Sequence, residues 1–60
     1  MFKAIVVDDH PFIRSSVKVL LQQEGFDVVG EADNGADALQ LVREHTPALV
    51  VLDITMPKLD

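Results

Sequence analysis

The sequence predicts an α/β fold on a parallel sheet, in the chain order strand, helix, strand, helix, strand. Three observations predict it. The stretch Ala48-Leu49-Val50-Val51-Leu52 is a run of five apolar residues that stops on Asp53. The same pattern occurs near the N-terminus, where Ala4-Ile5-Val6-Val7 stops on Asp8-Asp9. Between these runs lie two helix-spaced segments, one ended by Gly25 and the other by Pro47. Apolar runs of this kind suit strands buried on both faces. Alternation of strand and helix implies parallel pairing with right-handed crossovers.

The first strand spans Lys3 to Val7. A helix follows from Pro11 to Glu24, with Ile13, Val17 and Leu20 at helical spacing and Val19 and Leu21 widening the apolar stripe. Pro11 fits the first helical position, where a missing N–H costs nothing. His10 or Asp9 then stands at the N-cap. Gly25 stops the helix, because glycine adopts the left-handed conformation freely.

The second strand, Asp27 to Ala32, is interrupted by Gly30 and Glu31, so it belongs at an edge. Asp33-Asn34-Gly35 supplies turn chemistry and a cap for the second helix. Ala38, Leu39 and Val42 give that helix its apolar side. Pro47 ends it by pushing the preceding residue out of the helical region. Val17, Leu20 and Leu39 are expected in the core. The third strand closes the pattern, and Thr55-Met56-Pro57-Lys58 reads as a loop. With the polar strand outside, the order across the sheet is 2-1-3.

Sixty residues form at most one small domain, whose core is marginal at this length. The net charge of -5 argues against this segment itself gripping a phosphate backbone. Without cysteine there is neither a disulfide nor a thiolate metal site. The apolar runs are too short to span a bilayer. Asp8 and Asp9 cut the first run before it reaches the length of a signal core. The expected location is the cytoplasm.

In open parallel sheets, ligands bind at the carboxyl ends of the strands flanking the point where the winding reverses. Strands 1 and 3 flank it here, and Asp8, Asp9 and Asp53 stand at those ends. Neighbouring strands are about 4.8 Å apart. Two carboxylates about 5 Å apart repel by roughly 3 kcal/mol at an effective dielectric of 20. A hard divalent cation is the simplest compensation, and few carboxylates plus water suit Mg2+. A carboxylate beside such an ion can also attack phosphorus and form an aspartyl phosphate. Asp53, alone at its strand end, is the better nucleophile. Simple helix capping competes on equal terms for Asp9 alone, and poorly for all three acids together. His10 reads as a cap or loop residue rather than a ligand or base.

Asp8-Asp9-His10-Pro11, Asn34-Gly35, and Val50-Val51-Leu52-Asp53 followed by Met56-Pro57 together resemble the first half of a bacterial response regulator receiver domain. The Asp-Asp-His-Pro form is similar to receivers attached to LuxR-type (NarL/FixJ-like) DNA-binding domains. The resemblance covers residues 1–60 and implies a flavodoxin-like fold. It implies that a sensor histidine kinase phosphorylates Asp53. It also implies Mg2+ bound directly by Asp9 and Asp53, by Asp8 mainly through water, and by the Thr55 backbone carbonyl.

Receivers continue with two more strands and three more helices, which supply a Thr or Ser and a Lys to the phosphoryl group, and then an output domain that binds DNA. A chain ending after strand 3 leaves that strand as an apolar edge. Such an edge favours self-association, so a homo-oligomer joined through strand 3, or an unfolded chain, is expected. The alternative function is a half-domain that assembles but is not phosphorylated. A conventional enzyme fits less well. The turn after strand 1 lacks the glycines of a dinucleotide site. Thr55 stands where aspartyl phosphatases usually carry a second acid.

Overall fold

The structure is a computed structural model and describes residues 1–53. The sequence-predicted loop at 55–58 lies outside them. The elements are β1 (Lys3–Val7), α1 (Pro11–Gln23), β2 (Asp27–Ala32), α2 (Gly35–His45) and β3 (Leu49–Leu52). All strand pairs are parallel, in the order β2-β1-β3. Both the element order and the sheet order are those the sequence predicts.

β1 is the centre of the sheet. Ala4, Ile5, Val6 and Val7 are no more than 1% exposed. Alternate residues of a strand face opposite sides. Ile5 and Val7 join Ala32 and Ala38, with Val29, Leu41 and Val42 packed around them, so this side belongs to α2. Val6 shares the other side with Ile13 and Val17 of α1 and with Val51 of β3. The two helices therefore cover opposite faces.

The helix ends follow local chemistry. Asn34 caps α2 by accepting a hydrogen bond from the Asp37 N–H at 2.9 Å. Thr46, with φ 44°, closes α2 in the left-handed conformation just before Pro47. Gly25, with φ 91°, makes the turn out of α1, one residue after the C-cap Glu24. The register of β1 against β2 shifts between Ala4 and Ile5, which pair with Val28 and Gly30. At Gly30 the sheet and α2 come close: an added Cβ would lie 2.9 Å from Leu41 Cδ2.

Burial departs from the sequence expectation in three places. β3 is not buried on both faces, since Val50 is 41% and Leu52 53% exposed. Among the described residues α2 packs against β1 and β2 but not β3, so Val50 and Leu52 have no covering layer. Leu20, expected in the core, is 60% exposed, because the apolar stripe of α1 is wider than the sheet face it rests on. Leu39 is 51% exposed as well. The inward face of α2 runs through Ala38, Leu41 and Val42, at i, i+3 and i+4, and Leu39 is about 100° around the helix from Ala38. Among the described residues no helix is long and apolar enough to cross a membrane.

Candidate metal centre

The sheet carries its acids to one end by backbone pairing. Val7 pairs with Leu52 across β1 and β3, which sets Asp8 and Asp53 side by side at the next position. The ladder continues into both residues. The Asp53 N–H donates to the Val7 carbonyl at 3.0 Å, and the Asp8 N–H donates to the Ala32 carbonyl at 3.0 Å on the β2 side.

Asp8 is nearly inaccessible at 3% exposure. Its Oδ1 accepts the His10 N–H at 2.8 Å, an Asx-type turn that folds the chain from β1 into α1. Arg14 of α1 donates from Nη1 to the Asp8 carbonyl at 2.8 Å and approaches Glu31 of β2 at 3.4 Å. That arginine ties the turn to the neighbouring strand. Lys18 meets the same glutamate at 3.1 Å.

Asp9 lies between Asp8 and the helix start. Its Oδ1 is buried and accepts no hydrogen bond among the described residues. His10 Nδ1 is 2.8 Å from that oxygen, so the contact is one of charge, attractive when the ring is protonated, and not a directed bond. A buried carboxylate oxygen without a hydrogen bond is costly. It fits a place where a cation coordinates.

One ligand atom from each of Asp8, Asp9, His10 and Asp53 can be chosen so that all lie within 4.8 Å of one another. At that separation each carboxylate pair repels by roughly 3 kcal/mol at an effective dielectric of 20. The structure brings together the doublet Asp8-Asp9 and the lone Asp53, which the sequence expects to meet. Thr55, expected to add its carbonyl, lies outside the described residues.

His10 occupies the N-cap of α1, as the sequence expects, and its side chain makes no capping hydrogen bond. Its ring lies among the acids, with Nδ1 3.3 Å from Asp8 and 3.8 Å from Asp53. Pro11 holds His10 extended (φ -100°, ψ 111°) and off the helix.

Asp8 and Asp53 line a groove of about 320 Å3 between α1 and β3, together with Val6, Val17 and Val51. A second cleft, of about 360 Å3, is lined by Arg14, Glu31, Asp33 and Asp37. It contains neither Asp9 nor Asp53, and its wall is the Arg14–Glu31 ion pair.

Comparison with known proteins shows the family of the chain. The sequence model of the response regulator receiver domain matches residues 4–60. The virulence-factor transcription regulator BvgA of Bordetella pertussis is 57% identical over 58 residues, which are 97% of this chain and 28% of that protein. The chemotaxis protein CheY of Bacillus subtilis is 48% identical over 58 residues, 97% of this chain and 48% of its own length. Among solved structures, the signal receiver domain of the response regulator NarL from Mycobacterium tuberculosis superposes with a TM-score of 0.86 at 45% identity. That match covers 98% of this chain and 48% of the NarL receiver. The chain thus spans half or less of the length of the relatives it matches.

Proposed function

Because the chain belongs to the response regulator receiver domain family, we propose that Asp53 is its phosphoacceptor, phosphorylated by a sensor histidine kinase with Mg2+ held beside it. The β2-β1-β3 sheet with its two helices is the first half of the family's flavodoxin-like fold. The observation that carries the proposal is the convergence of Asp8, Asp9 and Asp53 at the carboxyl ends of two adjacent parallel strands.

In the proposed step, an Asp53 carboxylate oxygen attacks the phosphorus of a phosphohistidine. The new P–O bond forms as the P–N bond breaks. The electron pair returns to the donor imidazole, which takes up a proton. The hydrogen bond from the Asp53 N–H to Val7 fixes the backbone of the nucleophile. Asp9 would hold the metal directly through Oδ1, which accepts no hydrogen bond among the described residues, and the buried Asp8 would act mainly through water. The Thr55 carbonyl would complete the set. Bound Mg2+ supplies neutralisation of the charge on the transferring phosphoryl oxygens. The chain is a phosphate acceptor, not a turnover enzyme, and acts in the cytoplasm. By likeness to BvgA, named as a transcription regulator, phosphorylation would control a DNA-binding output domain.

The test is incubation of the complete receiver with acetyl phosphate and Mg2+, read by intact mass. Gain of one phosphoryl group, abolished by Asp53→Ala, is expected. Labelling at another residue overturns the assignment. The 60-residue chain alone should label weakly or not at all, because the Thr or Ser and the Lys contributed by the second half of a receiver are not among its residues.

One observation favours a second reading, self-association without phosphotransfer. β3 presents half-exposed Val50 and Leu52 and pairs only with β1 among the described residues. A strand with such an edge templates pairing with a second copy. Sedimentation of the 60-residue chain as a folded monomer at micromolar concentration would refute this reading.

A further inference from the structure

We propose that Asn34 is a site of spontaneous deamidation, in which the Gly35 backbone nitrogen displaces the side-chain amide whenever the cap of α2 opens. The proposal concerns the turn between β2 and α2 and is independent of the reading of Asp53 as a phosphoacceptor.

Several features of the turn carry it. Asparagine is a chemically labile residue, and Asn34, the only asparagine of the chain, is followed by a glycine. Both residues are exposed. Nothing lies within 4 Å of the place a Cβ on Gly35 would take, so the attacking nitrogen is unshielded. Gly35 opens α2, and its N–H is one of those that a helix leaves without an intrahelical acceptor. The nucleophile is therefore not tied into the helix ladder.

The same turn supplies a latch. Asn34 Oδ1 accepts the Asp37 N–H at 2.9 Å. Its Nδ2 donates to Asp33 Oδ1 at 2.6 Å and to Asp37 Oδ2 at 3.0 Å. These bonds hold the amide over the helix end, with the Asn34 backbone extended at ψ 166°. Cyclisation needs the side-chain carbon turned back onto the Gly35 nitrogen, so the latch must first release. The rate then follows the population of the open cap.

In the reaction, the Gly35 nitrogen attacks Asn34 Cγ. The N–Cγ bond forms as the Cγ–Nδ2 bond breaks. Ammonia leaves with the electron pair, and the Gly35 proton reaches it through water. A second water opens the cyclic imide at either carbonyl. One opening gives aspartate in the normal chain, and the other gives isoaspartate, whose main chain runs through the side-chain carbon. Both products replace the donor between Asp33 and Asp37 with another carboxylate. Aspartate is still a good N-cap. Isoaspartate adds a carbon to the main chain and moves the acceptor away from the Asp37 N–H. The damage then falls on α2, the helix that supplies Ala38, Leu41 and Val42 to the closed cluster.

The experiment incubates the complete receiver in warm, mildly alkaline buffer and, separately, in urea. Folding in buffer is checked by circular dichroism, and residue 34 is followed by peptide mapping. The folded protein should convert Asn34 about three- to thirty-fold more slowly than the unfolded protein, the factor that a cap of ordinary strength provides. Gly35→Ala, for which the structure has room, should slow the reaction about ten-fold or more in both states by hindering the nitrogen. Asp37→Ala removes an acceptor of the latch and should speed the reaction in buffer alone. The purified isoaspartate form should melt about 4 °C or more below the parent, and Asn34→Asp should melt close to it.

Equal rates in buffer and urea would overturn gating by the cap. Protection of about a hundred-fold or more would overturn it too, because the reaction would then wait for a larger unfolding event. If Asn34 stayed intact in urea while an Asn-Gly reference peptide was converted, the site itself would be overturned.

Discussion

The two faces of the sheet are finished to different degrees. Under α2, Ile5, Val7, Ala32 and Ala38 form a closed cluster roofed by Val29, Leu41 and Val42. Under α1 there is a groove, and no residue of that helix is fully buried. Phe12 is 88% exposed. What α1 does have is polar attachment: Arg14 to the Asp8 carbonyl, and Arg14 and Lys18 to Glu31. Apolar burial is worth about 2 kcal/mol per large side chain, while an exposed ion pair is worth about 0–1. The α2 face therefore holds the fold. The α1 face holds the site, since the turn that positions Asp8, Asp9 and His10 leads into α1.

The contrast can be broken most directly with a pair of truncations. Ile5→Ala opens a cavity in the closed cluster and should cost about 2–5 kcal/mol, enough to unfold a small domain. Leu20→Ala removes an exposed side chain of α1 and should cost under about 0.5 kcal/mol. Urea denaturation followed by circular dichroism measures both, and similar losses would show that the faces are equivalent.

A smaller effect should come from overfilling the α2 face. Gly30→Val places carbon against Leu41 and should cost about 1–3 kcal/mol. Pairing it with Leu41→Ala should recover part of that loss in a double-mutant cycle. Absence of coupling would mean that β2 and α2 do not meet there.

The smallest effects separate a cap from an ion pair. Asn34→Ala removes the α2 cap and should cost about 1 kcal/mol, independent of salt. Lys18→Met breaks the pair with Glu31 and should cost about 0–1 kcal/mol, vanishing in high salt. Thermal melts at two ionic strengths distinguish them.

Much of this architecture was legible in the sequence because backbone topology follows from local punctuation. Pro11, Gly25, Asn34 and Pro47 mark the helix ends close to where they fall. The polar interruption of β2 gave the sheet order, and the sheet order brought the three aspartates together. Burial was less legible. The runs Ala4–Val7 and Leu49–Leu52 look alike in composition, but one has a strand on each side and the other is flanked on one side among the described residues. Likewise Leu39 and Leu41 are the same residue type two positions apart, and only the second meets the sheet. The cap assignment of His10 is met at the backbone, and it says nothing about where the ring goes. Where the side chain goes depends on three acids that the fold assembles from two strands.

The absence of β3 from the cluster under α2 separates two properties of the chain. No side chain of β3 belongs to that cluster, yet Asp53 immediately follows β3 and is fastened through it to β1. Fraying of β3 would part Asp53 from Asp8 and leave that cluster in place. The alignment of these two acids is therefore a more fragile quantity than foldedness, and it is governed by whatever steadies β3 on the side away from β1.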